Sequence, residues 1–426
     1  MQIKIAGGRI IDPAQKIDRI DDLYIVKGRI AAVGEEPDGF IADEEYDAEG
    51  QIVCPGLIDL FAHLREPGLT QKGTIASETA AAAAGGITTL VASPNTKPVV
   101  DSTAVAELVQ DRASDAGMAR VLPLGALTQS MQGEQLAPLH ALASSGCIGF
   151  TNGRHPIDSS RVMLRALEYA ATHDLLVVFQ AEDRALAAEG CMHEGTTATR
   201  LGLNGIPAAA ETIEVSRCLI LIEETGVRAH FGQLSCAQSV LLIQSARERG
   251  LNVTADVAIH NLLLTDEEVN GFNSLFHVIP PLRSQLDRAG LRQGLVTDTL
   301  DAICSDHQPQ DAISKEAPFA ATEPGISGLE TLLPLSLMLV EQQLIALPQL
   351  IEKLTTGPAK VLGIEAGSLE VGADADVCVF DPEATWTVNS ETLKSRGKNT
   401  PFINTELKGR VTLTLLNGQP VHRLKS

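Results

Sequence analysis

The chain is predicted to be an α/β protein, a (β/α)8 TIM barrel with a small β-sandwich domain formed by both chain ends. Through the middle, short apolar runs alternate with amphipathic or alanine-rich stretches, as in parallel strands joined by crossover helices. The ends instead carry short alternating runs separated by Gly, Asp and Pro, which is typical of β-structure. With 426 residues and 44% hydrophobic content, the chain is long enough for one large core and a smaller module.

The two ends show the same β-type pattern. Residues 3–50 contain alternating runs such as Leu23-Tyr24-Ile25-Val26. The pattern returns in Val377–Asp381 and in Val411–Gly418, where Asn-Gly predicts a hairpin turn. We therefore expect the ends to pair into one β-sandwich domain.

The barrel prediction is based on eight candidate strands with helical segments between most of them. The predicted strands are residues 57–63, 87–92, 120–126, 147–151, 175–181, 227–234, 251–256 and 301–305. The predicted helices are residues 75–84, 102–116, 159–173, 208–225 and 236–249. The expected division is residues 1–52 and 366–426 for the β-sandwich and residues 53–365 for the barrel.

Composition excludes several classes of partner. The formal net charge is −21, and the sequence has no Lys/Arg cluster, so we expect neither nucleic-acid nor membrane binding. No apolar run approaches the roughly 18 to 20 residues that span a bilayer, and the start lacks the pattern of a signal peptide. We expect a cytoplasmic protein. Its seven scattered cysteines suggest reduced thiols in the core.

One strand carries an altered metal motif. In Phe61-Ala62-His63-Leu64-Arg65, the side chains of Phe61 and His63 share one face, because residues two apart on a strand point the same way. The pair reads as a His-x-His motif whose first histidine has become phenylalanine.

Ordered motifs along nearly the whole chain carry a resemblance to a known family. They are Pro55-Gly56-Leu57-Ile58-Asp59 with His63-Leu64-Arg65-Glu66-Pro67-Gly68, Ser93-Pro94-Asn95-Thr96-Lys97-Pro98, Ala181-Glu182-Asp183, Arg200–Pro207, Pro280-Pro281-Leu282-Arg283, Ser305-Asp306-His307 and Gly325–Thr331. In these blocks the chain resembles the dihydroorotases of the cyclic amidohydrolase superfamily. Those enzymes close and open the ring of dihydroorotate with one or two zinc ions.

The resemblance implies where metal ligands would lie. The matching positions are Phe61, His63, Asn152, Gly153, Gln180, Gln233 and Asp306. Only His63 and Asp306 keep the expected residue type, and a catalytic zinc needs about three protein ligands. Phenylalanine offers no lone pair, and a glutamine amide is a weak zinc ligand beside imidazole or thiolate. We therefore predict no catalytic residue, no metal and no cofactor.

The two surviving residues also have structural interpretations. His63 could be a hydrogen-bonded core histidine, and Asp306 could be held by a backbone amide or a nearby cation. His155 and Glu182 could instead act as substitute ligands.

The positions that grip the substrate carboxylate in dihydroorotases are only partly retained. Arg65 and Asn95 match, whereas Ile279 replaces an asparagine and Gln310 a histidine. Arg65 and Asn95 could bind a small carboxylate, or they could hold loops by pairing with Glu66 or backbone carbonyls.

Two functional hypotheses follow. The first is a non-catalytic dihydroorotase homologue, resembling the inactive chain that some bacteria assemble with aspartate carbamoyltransferase in pyrimidine biosynthesis. It would form a homodimer and join the transferase catalytic chain in a hetero-oligomer. The second is an active cyclic-amide hydrolase of dihydroorotase, hydantoinase or allantoinase type with a remodelled metal site.

Overall fold

The computed structural model describes residues 1–424. Its strands are β1 (Gln2–Asp12), β2 (Ile17–Val26), β3 (Arg29–Val33), β4 (Glu44–Asp47), β5 (Ile52–Pro55), β6 (Leu57–Ala62), β7 (Ile87–Ala92), β8 (Arg120–Ala126), β9 (Gly149–Thr151), β10 (Val177–Phe179), β11 (Met192–His193), β12 (Gly205–Ile206), β13 (Ala229–Phe231), β14 (Val253–Ala258), β15 (Ala302–Cys304), β16 (Val377–Thr387), β17 (Glu406–Leu416) and β18 (Gln419–Arg423). Its α-helices are α1 (Ile75–Ala84), α2 (Thr103–Ala116), α3 (Leu139–Ser144), α4 (Ser160–Thr172), α5 (Arg184–Ala187), α6 (Thr196–Leu201), α7 (Ala208–Thr225), α8 (Ala237–Glu248), α9 (Ile259–Leu263), α10 (Gln285–Val296), α11 (Leu332–Glu341), α12 (Leu347–Leu354) and α13 (Thr356–Leu362).

Eight parallel strands form the barrel, in the order β6, β7, β8, β9, β10, β13, β14 and β15. The sheet closes where the chain after β15 returns to β6. There Ala62 pairs with His307, and the N–H of His63 donates to the carbonyl of His307 at 2.8 Å. The predicted barrel is confirmed. Each of the eight candidate strands contains or overlaps one barrel strand, and the helix predicted over 208–225 coincides with α7.

Burial explains why the central segments form these elements. Every residue of β6 and β7 is buried, as expected for parallel strands covered on both faces. The crossover helices are amphipathic: α4 buries Met163, Ala166, Leu167 and Ala170, which are spaced three or four residues apart. Ser159 begins α4 by accepting a hydrogen bond from the N–H of Val162.

The two chain ends form one sheet, in the order β18, β17, β16, β5, β1, β2 and β3, with β4 beside β1. The predicted pairing of the ends is confirmed, and the eight strands join into a single mixed sheet. Strand β5 crosses the expected boundary between residues 52 and 53, because it pairs with both β1 and β16. Asn417 and Gly418 have positive φ and make the predicted turn between β17 and β18.

A connecting arm, residues 388–405 between β16 and β17, reaches back to the barrel. The side-chain amide of Asn399 donates to the carbonyls of Gln308 and Gly325, both at 2.9 Å, and its oxygen accepts from the N–H of Gln310 at 2.8 Å. The arm therefore fixes the loop after β15 to the sheet formed by the two chain ends, which we call the terminal sheet.

Two sequence-based expectations bear on the environment of the chain. All seven cysteines lie in the described part of the chain, where each is buried and free. Among residues 1–424, no helix combines the length and apolarity needed to cross a membrane.

The buried carboxylate of Asp12 gives a test of how the two ends are held together. It accepts hydrogen bonds from the N–H groups of Ala14 and Leu369 at 2.9 and 2.7 Å and from the hydroxyl of Ser368 at 3.1 Å. Asp12→Ala leaves the buried N–H of Leu369 without its acceptor. We expect the free energy of unfolding to fall by about 2–4 kcal/mol in denaturant titrations.

The matched control is Asp18→Ala, which removes an exposed ion pair with Arg9. That change should cost less than about 1 kcal/mol. Equal losses for the two variants would show that Asp12 does not join the ends.

Candidate functional site

The predicted site positions converge at one end of the barrel. Phe61 lies near the carboxyl end of β6 and His63 just after it, Gly153 follows β9, and Gln180 directly follows β10. Gln233 comes two residues after β13, and Asp306 comes two residues after β15. The carboxyl ends of parallel barrel strands open on the same face, where such folds carry their active sites. We call this region the barrel mouth.

Two glutamine side chains are bonded to each other at the mouth. The Nε2 of Gln180 donates to the Oε1 of Gln233. Gln180 is 8% and Gln233 3% exposed, so the bond is shielded from water. The N–H of Gln233 donates to the carboxylate of Asp256 at 2.7 Å, which fixes the residue in its left-handed conformation. The amide pair therefore satisfies itself where the resemblance implies two histidine ligands.

The two candidate positions in the loop after β9, residues 152 and 153, have different surroundings. A Cβ added to Gly153 would lie 3.4 Å from the Oε1 of Gln180, so residue 153 faces the amide pair but contributes no donor atom. Asn152 is used elsewhere. Its oxygen accepts from the hydroxyl of Thr128 at 2.7 Å, and its nitrogen donates to the carbonyls of Met131 and His155 at 3.2 and 3.1 Å. Asn152 therefore stabilises the loops.

Phe61 and His63 pack against each other. Their rings meet edge to face, with centroids 5.2 Å apart and planes at 88°. Burial, followed by the positive charge of Arg65, holds the pKa of His63 well below its usual value. His63 is therefore neutral at physiological pH, and the ring beside it is a hydrocarbon rather than a second imidazole.

Asp306 is a buried carboxyl with few partners. It has φ of 45° and is 1% exposed, and one of its oxygens accepts from the Nε2 of Gln308 at 3.1 Å. Burial raises the pKa of Asp306 to about 7, although the nearby guanidinium of Arg154 lowers it. The charges of Asp256 and Asp59 raise it further. Near neutral pH this carboxyl is therefore partly protonated.

Sequence reasoning missed Arg154. Its Nη1 lies 3.8 Å from the Oε2 of Glu182, and its charge lowers the pKa of both His63 and Asp306. A cation is thus present at the mouth without a metal. The signal in the sequence was an arginine directly after position 153, the position at which the resemblance implies a carboxylate.

The residues at the mouth do not fit a catalytic zinc. Phe61 and Gly153 supply no donor atom, and the two glutamines are neutral amides already bonded to each other. His155 is exposed, and the Glu182 carboxylate lies beside the guanidinium of Arg154. Among residues 1–424, no three His, Cys, Asp or Glu side chains are grouped to hold a metal.

Arg65 holds a loop, which is one of the two roles considered for it from the sequence. It is 8% exposed, and its Nε donates to the carbonyl of Pro309 at 3.0 Å. Burial lowers its pKa to about 10, and its Nη2 has no hydrogen-bond partner within residues 1–424. Glu66 is not its partner, because the Glu66 carboxylate accepts from the N–H of Ile75 at 2.9 Å.

The other pocket positions differ in exposure and in their partners. Asn95 is exposed, and Ile279 contributes a partly buried aliphatic side chain. Gln310 donates from its Nε2 to the carbonyl of Pro324 at 2.8 Å and therefore holds a loop.

The barrel, the terminal sheet and the mouth together define a protein of the amidohydrolase class. Residues 50–239 match the sequence profile of the family described as Dihydro-orotase-like, and residues 244–422 match that of the Amidohydrolase family. The L-hydantoinase (dihydropyrimidinase) of Arthrobacter aurescens has the same fold, with a TM-score of 0.88, 24% identity, and coverage of 100% of this chain and 96% of that one.

Sequence relatives identify the family. A dihydroorotase-like protein of Pseudomonas aeruginosa is 51% identical over 99% of this chain and 100% of its own length. A dihydroorotase of Geotalea daltonii is 42% identical over 99% of this chain and 100% of its own length. The chain belongs to the dihydroorotase-like proteins of the amidohydrolase superfamily.

The raised pKa of Asp306 gives a test of the description of this residue as a buried carboxyl that binds no zinc. A carboxyl with a pKa of 3.8 unfolded and about 7 folded binds more protons in the folded state, so the protein loses stability as pH rises from about 4 to about 7. Asp306→Asn removes this cost. We expect it to raise the free energy of unfolding by on the order of 2–4 kcal/mol at pH 8 and by little at pH 4.

Denaturant titrations at both pH values measure the difference, and Asp381→Asn on a partly exposed strand position is the control. In a zinc enzyme the same substitution would remove a metal ligand. Destabilisation of Asp306→Asn at pH 8, together with loss of bound metal, would contradict our description of the mouth.

Restoring ligands tests whether the positions share one site. Phe61→His with Gln180→His and Gln233→His should create measurable zinc binding, because the barrel presents all three at one mouth. Activity should return poorly, since Gly153, Ile279 and Gln310 remain unsuited to ligand and substrate. Isothermal titration with zinc measures the gain. A folded triple variant without any gain in zinc affinity would show that the positions do not form one site.

Proposed function

We propose that this chain is a non-catalytic dihydroorotase homologue that acts as a structural subunit, assembling with and stabilising aspartate carbamoyltransferase in pyrimidine biosynthesis. The observation that carries the proposal is the bond between Gln180 and Gln233, which fills the positions of two metal ligands with a closed amide pair. Without a metal-bound water, a ring amide has no activated nucleophile at the mouth.

The intact architecture outside the mouth supports a role in assembly. The barrel is closed, the connecting arm is hydrogen-bonded to the loop after β15, and the terminal sheet is complete. Phe61 and Gln233, which stand where the resemblance implies metal ligands, are buried in this packed barrel. A surface that recognises a partner requires the fold but not the zinc, so it can be retained when the chemistry is lost.

The relatives support the same interpretation. The Pseudomonas proteins at 51% identity are named dihydroorotase-like, whereas proteins at 42–45% identity are named dihydroorotases. The proposal extends the distinction in those names to this chain, whose ligand positions depart from the zinc-binding pattern.

The proposed particle follows from symmetry. Two-fold dimers of this chain placed between three-fold transferase trimers give a closed assembly rather than a filament. Each stable contact would bury well over ~1,000 Å². Binding also stabilises any chain that is only marginally folded alone, since the partner binds the native state.

Mixing the purified chain with the aspartate carbamoyltransferase catalytic chain of the same organism tests the proposal. We expect one large species of defined mass in sedimentation velocity. The transferase should also gain thermal stability or activity in the mixture, because association favours its native state.

The matched control is the variant with Phe61→His, Gln180→His and Gln233→His. It should assemble as well as the parent, because the proposed role does not use the mouth. Independent migration of the two chains, with transferase stability and activity unchanged, would reject the proposal and favour a hydrolase with a remodelled site.

A further inference from the structure

Three neighbouring helices on the outside of the barrel share an unusual surface. Helix α8 packs between α7 and α10. Large apolar side chains point outward from all three: Ile213 and Ile220 are 48% and 68% exposed on α7, Leu241 is 55% exposed on α8, and Leu286 is 83% exposed on α10. We call the outward side of these helices the neutral face.

Charge is depleted on this face. The exposed residues of α10 are Gln285, Leu286, Ala289, Gln293 and Val296, and those of α7 before its last turn are Ala209, Ile213 and Ile220. On α8 the exposed residues through the third turn are Gln238, Leu241, Gln244 and Ser245. All of these are uncharged, in a chain with 54 acidic and 33 basic residues.

Another barrel helix shows the contrast. Helix α2 exposes Glu107, Asp111, Arg112 and Asp115 beside Leu108. It is therefore a solvated amphipathic helix of the ordinary kind. The neutral face is a property of α7, α8 and α10 rather than of the barrel as a whole.

Two arginines beside the face are bound within the chain. Arg217 pairs with Glu214 at 2.9 Å on α7, and Arg288 donates to the carbonyl of Leu263 at 2.8 Å. These groups are not directed at an external partner. Depletion of charge together with exposed large apolar side chains is characteristic of the buried centre of a protein interface.

From this surface we propose that the neutral face is the self-association interface of the chain, packing against the same three helices of a second copy. Net charge favours this occupant. Two chains that each carry −21 repel each other over most of their surface, and contact at a neutral face avoids placing acidic groups together. Identical faces related by a two-fold axis also match helix against helix.

The size of the face suits such a contact. Helix α7 has 18 residues and is about 27 Å long, whereas α8 and α10 have 12 residues each and are about 18 Å long. With helices about 10 Å apart, the projected footprint is roughly 500 Å², and the ridged accessible surface is larger. A stable interface buries about 800 Å² on each partner, so loops beside the helices would supply the rim.

This proposal rests on the proposed function, because it identifies the interface of the homodimer assumed there. Its test does not require the transferase. Leu241→Glu with Leu286→Glu places two carboxylates on the face of each copy. The substituted residues are exposed in the single chain, so the fold should be kept, as circular dichroism and thermal melting would verify. Sedimentation equilibrium of the full chain should show dimerisation weakened by at least about tenfold.

The matched control is Leu108→Glu with Val371→Glu, two exposed apolar positions outside the face, at 38% and 64% exposure. This variant should dimerise like the parent. A monomeric parent at tens of micromolar, or a face variant as dimeric as the parent, would overturn the proposal. A face variant that stays dimeric but no longer assembles with the transferase would also overturn it, and would assign the face to the transferase. Loss of dimerisation supports it even if the transferase does not bind.

Discussion

The mouth depends on how the barrel closes between β6 and β15. The carboxylate of Asp59, inside β6, accepts from both the N–H and the hydroxyl of Ser305, and both residues are fully buried. This contact sets the position of Asp306 and of the loop that follows it. The N–H of His63 then joins the carbonyl of His307 on the other side of the closure. The junction therefore fixes where the first and last strands of the barrel end, and with them the positions of His63 and Asp306.

Where the resemblance implies metal ligands, the polar groups of the mouth bond to other protein groups. In the bond between Gln180 and Gln233, one side chain supplies the donor and the other the acceptor. Arg154 supplies positive charge near Asp306, so part of the cost of burying that carboxyl is offset.

Much of the fold could be predicted from the sequence, because most barrel strands are short runs of buried residues and α7 has clear helical limits. The absence of donor atoms at positions 61 and 153 could also be predicted, since residue type alone excludes the side chains of Phe and Gly as ligands. Three features could not. They are the bond between the two glutamines, the contact of Arg154 with Glu182, and the contact of Asn399 with the loop after β15. Each joins residues that are distant in the sequence. Local periodicity carries no information on such pairs.

The claim that the mouth cannot hold a catalytic metal is tested most directly by metal analysis of the native chain. The protein would be purified without chelators, supplied with zinc, and measured for zinc content alongside interconversion of carbamoyl aspartate and dihydroorotate. We expect substoichiometric zinc and no turnover, because His63 and Asp306 alone cannot hold a metal and activate its water. About one zinc per chain, with turnover that disappears when the zinc is removed, would contradict this account.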